Sequence, residues 1–259
     1  MTPELLKSEA DNCDAQSGLS PAPLLGSLVE PKWNRLLWFL QWVQFWPKSF
    51  NAKRWANVRS AKNTIELCRE LGIKPSKLFD VGANDGQWAY WLQREYNIPV
   101  VSFEPNATIK PRGEFYCVAL SDCNGRGSMA GKDTSGHLVA GNKTAVWRFD
   151  KLYVGTIPSG SILKIDAETH SARALIGFGN RIREFDVIVI ETCWDNARCG
   201  KSMLGQAAVI MRFMLDNGFT NMTSVDEAVY SGRTDFIDMA FWKDPNERTE
   251  AQPPENQKR

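Results

Sequence analysis

The chain has 259 residues and a mass of 29.2 kDa, with a hydrophobic fraction of 43% and a charged fraction of 24%. These values are ordinary for a protein that buries a sizeable core, and they argue against a disordered chain. Because 31 basic residues nearly balance 30 acidic ones, the chain as a whole has no strong attraction to nucleic acid or to anionic lipid. The 6 cysteines include no C-x-x-C pair, which argues against a zinc ribbon or a thioredoxin-type motif, and free thiols are expected.

The N-terminal part of the chain divides into two segments. Residues 1–30 are polar and proline-rich, and they predict a flexible lead-in. Residues 31–72 form a predicted Trp-rich helical extension, whose apolar run is too short to cross a bilayer. Two alternatives are open for residues 33–46, contact with a membrane interface or packing on the domain or a partner protein, and packing is favoured. The N-terminus also lacks the basic and apolar regions of a secretory signal, which predicts a cytoplasmic protein.

Helical and strand patterns alternate after this extension. Helical spacing of apolar residues predicts helices at 52–71, 87–96, 171–178 and 202–217. Short β-branched or apolar runs predict strands at 78–81, 100–103, 115–120, 162–165, 187–190 and 235–243. Such alternation predicts an α/β fold with a mostly parallel sheet and helices on both faces. Residues 73–245 would form this domain and residues 246–259 a polar tail, while the Gly- and Ser-rich segment 125–141 predicts a flexible loop.

The stretch "FDVGANDGQW", residues 79–88, has the layout of a nucleotide-binding turn. In an open parallel sheet, ligands bind beyond the carboxyl ends of the strands, where a glycine turn leads into a helix. Gly82 and Gly86 would let the backbone approach a ligand closely. Glu104 ends the next strand, where a carboxylate can accept both hydroxyls of a ribose. Together these features predict a cofactor that contains a nucleoside.

Five blocks in this order resemble the FkbM-type S-adenosylmethionine-dependent methyltransferases. The blocks are D-x-G-A-N-x-G at 80–86, F-E-P at 103–105, A-L-S-D-x-x-G at 119–125, L-K-I-D-x-E at 163–168, and a strand ending in Glu at 188–191. The resemblance covers residues 77–243. It implies a Rossmann-like class I methyltransferase fold, which is a doubly wound sheet of seven strands with the last strand antiparallel. It also implies S-adenosyl-L-methionine as the cofactor and transfer of methyl to oxygen.

The same resemblance assigns roles to individual residues. The cofactor-binding residues it implies are Asp80, Gly82, Ala83, Asn84 and Gly86 around the methionyl part, Glu104 at the ribose and Asp122 near the adenine edge. Glu168 is the first candidate for the base that removes the proton of an alcohol acceptor, and Asp166 is the second. His170 and His137 follow as weaker candidates and are expected at the surface. No cluster of acidic or histidine residues has a convincing metal-ligand spacing, so no metal is predicted.

Two departures from the family pattern are visible. Thr169 replaces the glycine of the usual D-x-E-G, which predicts a changed acceptor side. The stretch between Pro105 and Ala119 is too short for a crossover helix and a third strand together, and it predicts a bare loop at that wall of the site.

Several functions remain open from the sequence. The leading one is O-methylation of a small molecule or glycan. The alternatives are methylation of RNA or protein, a degenerate fold that serves as a binding scaffold and, more weakly, an NAD-dependent dehydrogenase. The near-neutral charge argues against nucleic acid as a partner, and the missing G-x-G-x-x-G pattern argues against the dehydrogenase.

Overall fold

The computed structural model describes residues 52–130, 137–193, 201–230 and 233–244. The predicted lead-in, the Trp-rich segment 33–46 and the polar tail therefore lie outside the described residues. None of the helices in the described ranges is long and apolar enough to cross a membrane.

The predicted helices and strands are present, with some changes of boundary. The helices are α1 (Ala52–Glu70), α2 (Gln87–Tyr96), α3 (Phe149–Leu152), α4 (Ser171–Ile176) and α5 (Lys201–Asp216), with 3-10 turns at Glu168–His170 and Gly179–Glu184. The strands are β1 (Lys77–Val81), β2 (Val100–Phe103), β3 (Glu114–Tyr116), β4 (Ala119–Leu120), β5 (Gly125–Ala130), β6 (His137–Trp147), β7 (Ser161–Ile165), β8 (Val187–Cys193), β9 (Asn221–Tyr230) and β10 (Arg233–Trp242). Helix α1 ends where the sequence indicated, before Gly72, whose φ is +63°.

The main sheet has seven strands in the order β3-β2-β1-β7-β8-β10-β9. Strands β3, β2, β1, β7 and β8 run parallel to one another, whereas β10 is antiparallel to both of its neighbours. The order reverses between β1 and β7, and this is the switch point at which a doubly wound sheet binds its ligands. The predicted fold class, a Rossmann-like, mostly parallel sheet of seven strands, is confirmed.

Helices cover both faces of this sheet, as buried parallel strands require. On one face, α1 and α2 pack on apolar side chains that include Leu78 and Ile162. On the other face, α4 and α5 pack on a larger cluster that includes the rings of Phe79 and Phe185, which meet edge to face at 5.2 Å. The strands place successive side chains on opposite faces, so a polar residue within one of them lies under a helix unless it is near a strand end.

Two loop regions differ from the prediction. Residues 115–120 are not one strand, because β3 pairs with β2 in the main sheet while β4 pairs with β6 in a separate sheet of three strands. The expectation of a flexible loop over 125–141 is wrong for its described part, since β5 and β6 form an antiparallel pair there. The connection from β2 to β3 contains no helix within the described residues, as the short spacing indicated.

A buried hydrogen bond joins α1 to α2. The indole Nε1 of Trp88 donates to the hydroxyl of Ser60 at 2.9 Å, and both side chains are buried. Ser60→Ala should lower the free energy of unfolding by about 1–3 kcal/mol, because the indole N–H is then left buried without an acceptor. Urea unfolding measures the loss, with the exposed Ser159→Ala as the control. Equal stability of the two variants would contradict this role for Ser60.

Candidate active site

The turn after β1 is held between two neighbouring strands. The backbone N–H of Gly82 donates to the carbonyl of Phe103 at the end of β2, at 2.9 Å. On the other side, a Cβ added to Gly82 would lie 1.9 Å from the backbone oxygen of Asp166, and the φ of Gly82 is +74°. Only glycine fits such a contact without a shift of the backbone. The turn then leads through Gly86, with φ of +76°, into helix α2.

Glu104 connects this turn to the loop that follows β2. Its Oε2 accepts from the backbone N–H of Asn84 at 2.9 Å, and its Oε1 accepts from the N–H of Asn106 at 2.8 Å. The side chain is buried, with 8% of the residue exposed. An ionised carboxylate offers about four acceptor positions, so two remain for a ligand. The structure thus gives Glu104 a structural contact that the sequence did not indicate, beside its predicted role toward a ribose.

Asp80, near the end of β1, is a buried carboxyl group with an unused oxygen. The residue is 3% exposed, and its Oδ2 has no hydrogen-bond partner within the described part of the chain. Burial raises the pKa of Asp80 to about 7, although the charge of Lys164 opposes the shift. A buried oxygen without a partner is costly in a folded protein and is common where a ligand supplies the missing donor.

A group of acidic side chains, located after the end of β7 and within β8 and β10, surrounds one buried lysine. Oxygens of Asp166, Glu168 and Glu191 lie within 4.8 Å of one another. The ammonium of Lys164, which is 1% exposed, lies 2.9 Å from Asp238 Oδ1 and 3.8 Å from Asp166 Oδ2. Burial alone would lower the pKa of Lys164, but the charges of Asp238 and Asp166 outweigh it and raise the pKa above its usual range.

The charged form of Glu191 is disfavoured in this group. Burial, followed by the charges of Asp166 and Asp238, raises the pKa of Glu191 well above its ordinary value. A side-chain hydrogen bond with Asp166 also raises the pKa of Glu191. A divalent cation can bridge oxygens at the spacing of this group. The Lys164 ammonium offsets part of the negative charge of the group, and the prediction of no metal stays a prediction.

The two candidate bases, Asp166 and Glu168, lie close together, but only Glu168 has a left-handed backbone conformation. Asp166 follows β7, and its backbone N–H donates to the carbonyl of Val81 at 2.9 Å. This hydrogen bond fixes Asp166 beside the glycine turn. Glu168 has a φ of +50°, a left-handed conformation that costs energy in a residue other than glycine. Such strain is retained where the surrounding structure requires it, often at a functional site.

His170 is not the surface residue that the sequence indicated. Its Nε2 lies 2.9 Å from the hydroxyl of Ser121, which itself donates to Asp122 Oδ1 at 3.0 Å. Since that hydroxyl has a single proton, the Nε2–H of His170 donates to it. Burial and then the charge of Arg173 lower the pKa of His170 to about 4, so the ring is neutral. Asp122 is also paired with Arg173 at 2.8 Å, and its predicted place near the adenine edge stays a prediction.

The expectation of free thiols is wrong at one position beside this cluster, because Cys123 is disulfide-bonded. Cys68 and Cys117 are free.

Sequence reasoning missed Lys164, Asp238 and the role of Glu191. Lys164 lies inside the apolar strand "SILKI", where a lysine buried between helices requires a carboxylate partner. That signal was available, but its partner Asp238 comes from the distant strand β10 and could not be identified before the strand order was known.

Comparisons with known proteins give distant structural likenesses. Neither a protein-family model nor a curated protein sequence matches the chain. A suspected RNA methyltransferase from Pyrococcus horikoshii is similar over 71% of this chain and 81% of its own, with 16% identity and a TM-score of 0.37. The plantazolicin methyltransferase BpumL in complex with SAH is similar over 82% of this chain and 91% of its own, with 6% identity and a TM-score of 0.46.

A third similar structure is the Burkholderia thailandensis 1,6-didemethyltoxoflavin-N1-methyltransferase with bound S-adenosylhomocysteine. It is similar over 86% of this chain and 95% of its own, with 15% identity and a TM-score of 0.37. Because these TM-scores lie below 0.5, the fold is assigned from the strand order of this chain. The resemblance to the FkbM family stays a prediction.

Proposed function

We propose that the chain is an S-adenosylmethionine-dependent methyltransferase of the FkbM type that methylates a hydroxyl group on a small molecule or glycan. The observation that carries the proposal is the unpartnered Asp80 oxygen beside a glycine turn at the switch point of the sheet. The five sequence blocks support the same proposal and add the preference for oxygen as the acceptor atom.

The residues at the switch point fit such a cofactor. Gly82 keeps the turn close to β7, where any side chain would collide with Asp166. The Asp80 oxygen would accept a hydrogen bond from the ammonium of the methionyl part, and the two free acceptor positions of Glu104 would accept from the ribose hydroxyls. S-adenosylmethionine supplies a methyl group that is already activated on a sulfonium, so the protein has mainly to align donor and acceptor.

The acceptor side of the site is acidic. Glu168 and Asp166 stand at the end of β7 with Glu191 beside them, and a carboxylate there can take the proton of an alcohol. A scaffold without catalysis would have no need of a buried carboxyl group with an unused oxygen, which costs stability. This favours the enzyme over the scaffold.

Titration calorimetry with S-adenosylmethionine and, separately, with NAD tests the proposal. Micromolar binding of S-adenosylmethionine without binding of NAD is the expected result, and failure of the folded chain to bind S-adenosylmethionine would reject the proposal. Glu104→Gln should weaken that binding by about 1–3 kcal/mol, because charge-assisted hydrogen bonds to the ribose are lost.

The Glu104 variant needs two controls. A glutamine oxygen can accept only one of the two backbone hydrogen bonds that Glu104 accepts, so thermal unfolding should be measured beside binding. Glu114→Gln, an exposed substitution on the neighbouring strand β3, should leave the dissociation constant unchanged. An unchanged dissociation constant for Glu104→Gln would remove Glu104 from the cofactor site.

A further inference from the structure

The charges around Glu191 do not balance without a proton. Strand β7 contributes the ammonium of Lys164 and the carboxyl of Asp166, and strand β10 contributes Asp238. Glu168 approaches from the turn after β7, and Asp80 on β1 interacts with the same lysine. Among the described side chains, one cation therefore faces several carboxyl groups in a site that is largely shielded from water. Such a set lowers its energy by keeping protons or by binding a second cation.

Asp166 and Glu191 lie side by side, with carboxylate oxygens within 4.8 Å of each other. Asp166 directly follows Ile165 at the end of β7, and Glu191 directly follows Ile190 within β8, where Ile165 and Ile190 pair on the adjacent parallel strands. Asp166 is also the residue whose backbone oxygen touches the glycine turn. The pair therefore lies beside the turn where a donor would bind.

Resting on the proposed function, we propose that the Asp166–Glu191 pair shares one proton in the free protein, gives it up when the cationic donor binds, and is the proton acceptor of the methyl transfer. The sulfonium is the second cation that the carboxyl groups lack, so the ionised pair is the stable form when the donor is bound. The pair then has a vacant basic oxygen at the moment when the alcohol requires one.

The step balances in atoms and charge. The alcohol O–H bond breaks and its proton goes to a carboxylate oxygen of the pair, while the alcohol oxygen forms a bond to the methyl carbon. The bond from sulfur to methyl breaks, and its electron pair stays on sulfur. One positive charge on sulfur and one negative charge on the pair disappear together, and the pair is again protonated as it was before the donor bound.

Binding experiments test this inference without turnover. A ligand that expels a proton binds more tightly as the pH rises, by up to about tenfold per pH unit for one proton. The affinity ratio of S-adenosylmethionine to S-adenosylhomocysteine, whose sulfur is neutral, should therefore rise between pH 6 and pH 7.5. In Glu191→Gln the rise should be smaller, because the glutamine cannot release a proton. The titrating amino groups of the ligands contribute equally to wild type and variant and cancel in the comparison.

Calorimetry in two buffers of different ionisation enthalpy gives the released protons directly. Wild type should release close to one proton more than Glu191→Gln on binding S-adenosylmethionine, and the exposed Glu70→Gln should behave as wild type. Asp166→Asn replaces Glu191→Gln if the latter does not fold. If wild type and variant each bind S-adenosylmethionine and S-adenosylhomocysteine but release equal numbers of protons, the inference is overturned and the proposed function is left intact. Absence of binding by either ligand to the folded wild type would reject both.

Discussion

Gly82→Ala is expected to weaken the binding of S-adenosylmethionine by about 100-fold or more. The new Cβ would lie 1.9 Å from the backbone oxygen of Asp166, a distance that requires the turn or β7 to move. The φ of +74° adds strain of about 1–2 kcal/mol for a residue with a side chain, on top of overpacking strain of about 1–3 kcal/mol. The turn can relieve both by swinging away from β7, and it would then no longer approach the cofactor. Titration calorimetry measures the loss.

Gly72→Ala is the matched control for this substitution. Gly72 also has a left-handed backbone, with φ of +63°, but a Cβ there would meet nothing within 4 Å. It should cost about 1 kcal/mol of stability and leave the dissociation constant as in wild type. If the two variants bound the cofactor equally well, the contact between the turn and β7 would not be what shapes the site. If Gly82→Ala failed to fold, the contact would be essential to the domain itself.

Most of the main sheet could be predicted because its strands carry local signals. The runs at 78–81, 100–103 and 187–190 are predominantly apolar, as is typical of strands buried on both faces. The prediction of one strand at 115–120 was wrong because its sequence carries no signal for the break between two strands. Its apolar residues correctly predict extended backbone. However, nothing in the local sequence indicates that Tyr116 ends a strand of one sheet and that Ala119 begins a strand of another. The partner of a strand is a property of the whole fold.

The segment 125–141 shows a second limit of composition. Glycines there indicated a loose connection, yet Gly127 lies within β5 and a Cβ on it would come within 2.6 Å of the side chain of Leu138. The small residue permits two strands to pack closely, and the same composition would also suit a flexible loop. Composition alone cannot separate these two causes.

The positions of the residues around the glycine turn could be predicted from the sequence, whereas the acidic group around Lys164 could not. Asp80, Gly82 and Glu104 belong to short contiguous motifs, so their positions at strand ends could be inferred from sequence order. The set of Lys164, Glu191 and Asp238 is assembled from three strands that are distant in sequence. Its charge balance becomes visible only when the strands are side by side.

Lys164→Met is expected to lower the free energy of unfolding by about 3–5 kcal/mol at pH 8, because it removes one partner of a buried ion pair. Methionine matches the length and volume of the lysine stem, so the loss measures charge and not packing. Asp238 and Asp166 would lose the ammonium that lies 2.9 Å and 3.8 Å away, and Asp80 and Glu191 would lose the charge that opposes the rise of their pKa values.

The loss of stability caused by Lys164→Met should depend on pH in a defined direction. Without Lys164 the folded-state pKa values of Asp80 and Glu191 rise further above their unfolded values of about 4. A carboxyl whose pKa is raised in the folded state binds a proton on folding, so stability falls as the pH rises from the unfolded pKa through the folded one. The deficit relative to wild type should therefore be smaller at pH 5 than at pH 8.

Urea unfolding followed by tryptophan fluorescence at both pH values measures this difference, and Lys151→Met at an exposed position of α3 is the control. The control should have the same free energy of unfolding as wild type at both pH values, because an exposed lysine has little effect on stability. A deficit of equal size at pH 5 and pH 8 would mean that protons do not replace the charge of Lys164, and the charge balance inferred for the Asp166–Glu191 pair would lose its basis. A deficit that shrinks at pH 5 would show that protons can replace the missing ammonium, as the proton exchange proposed for that pair requires.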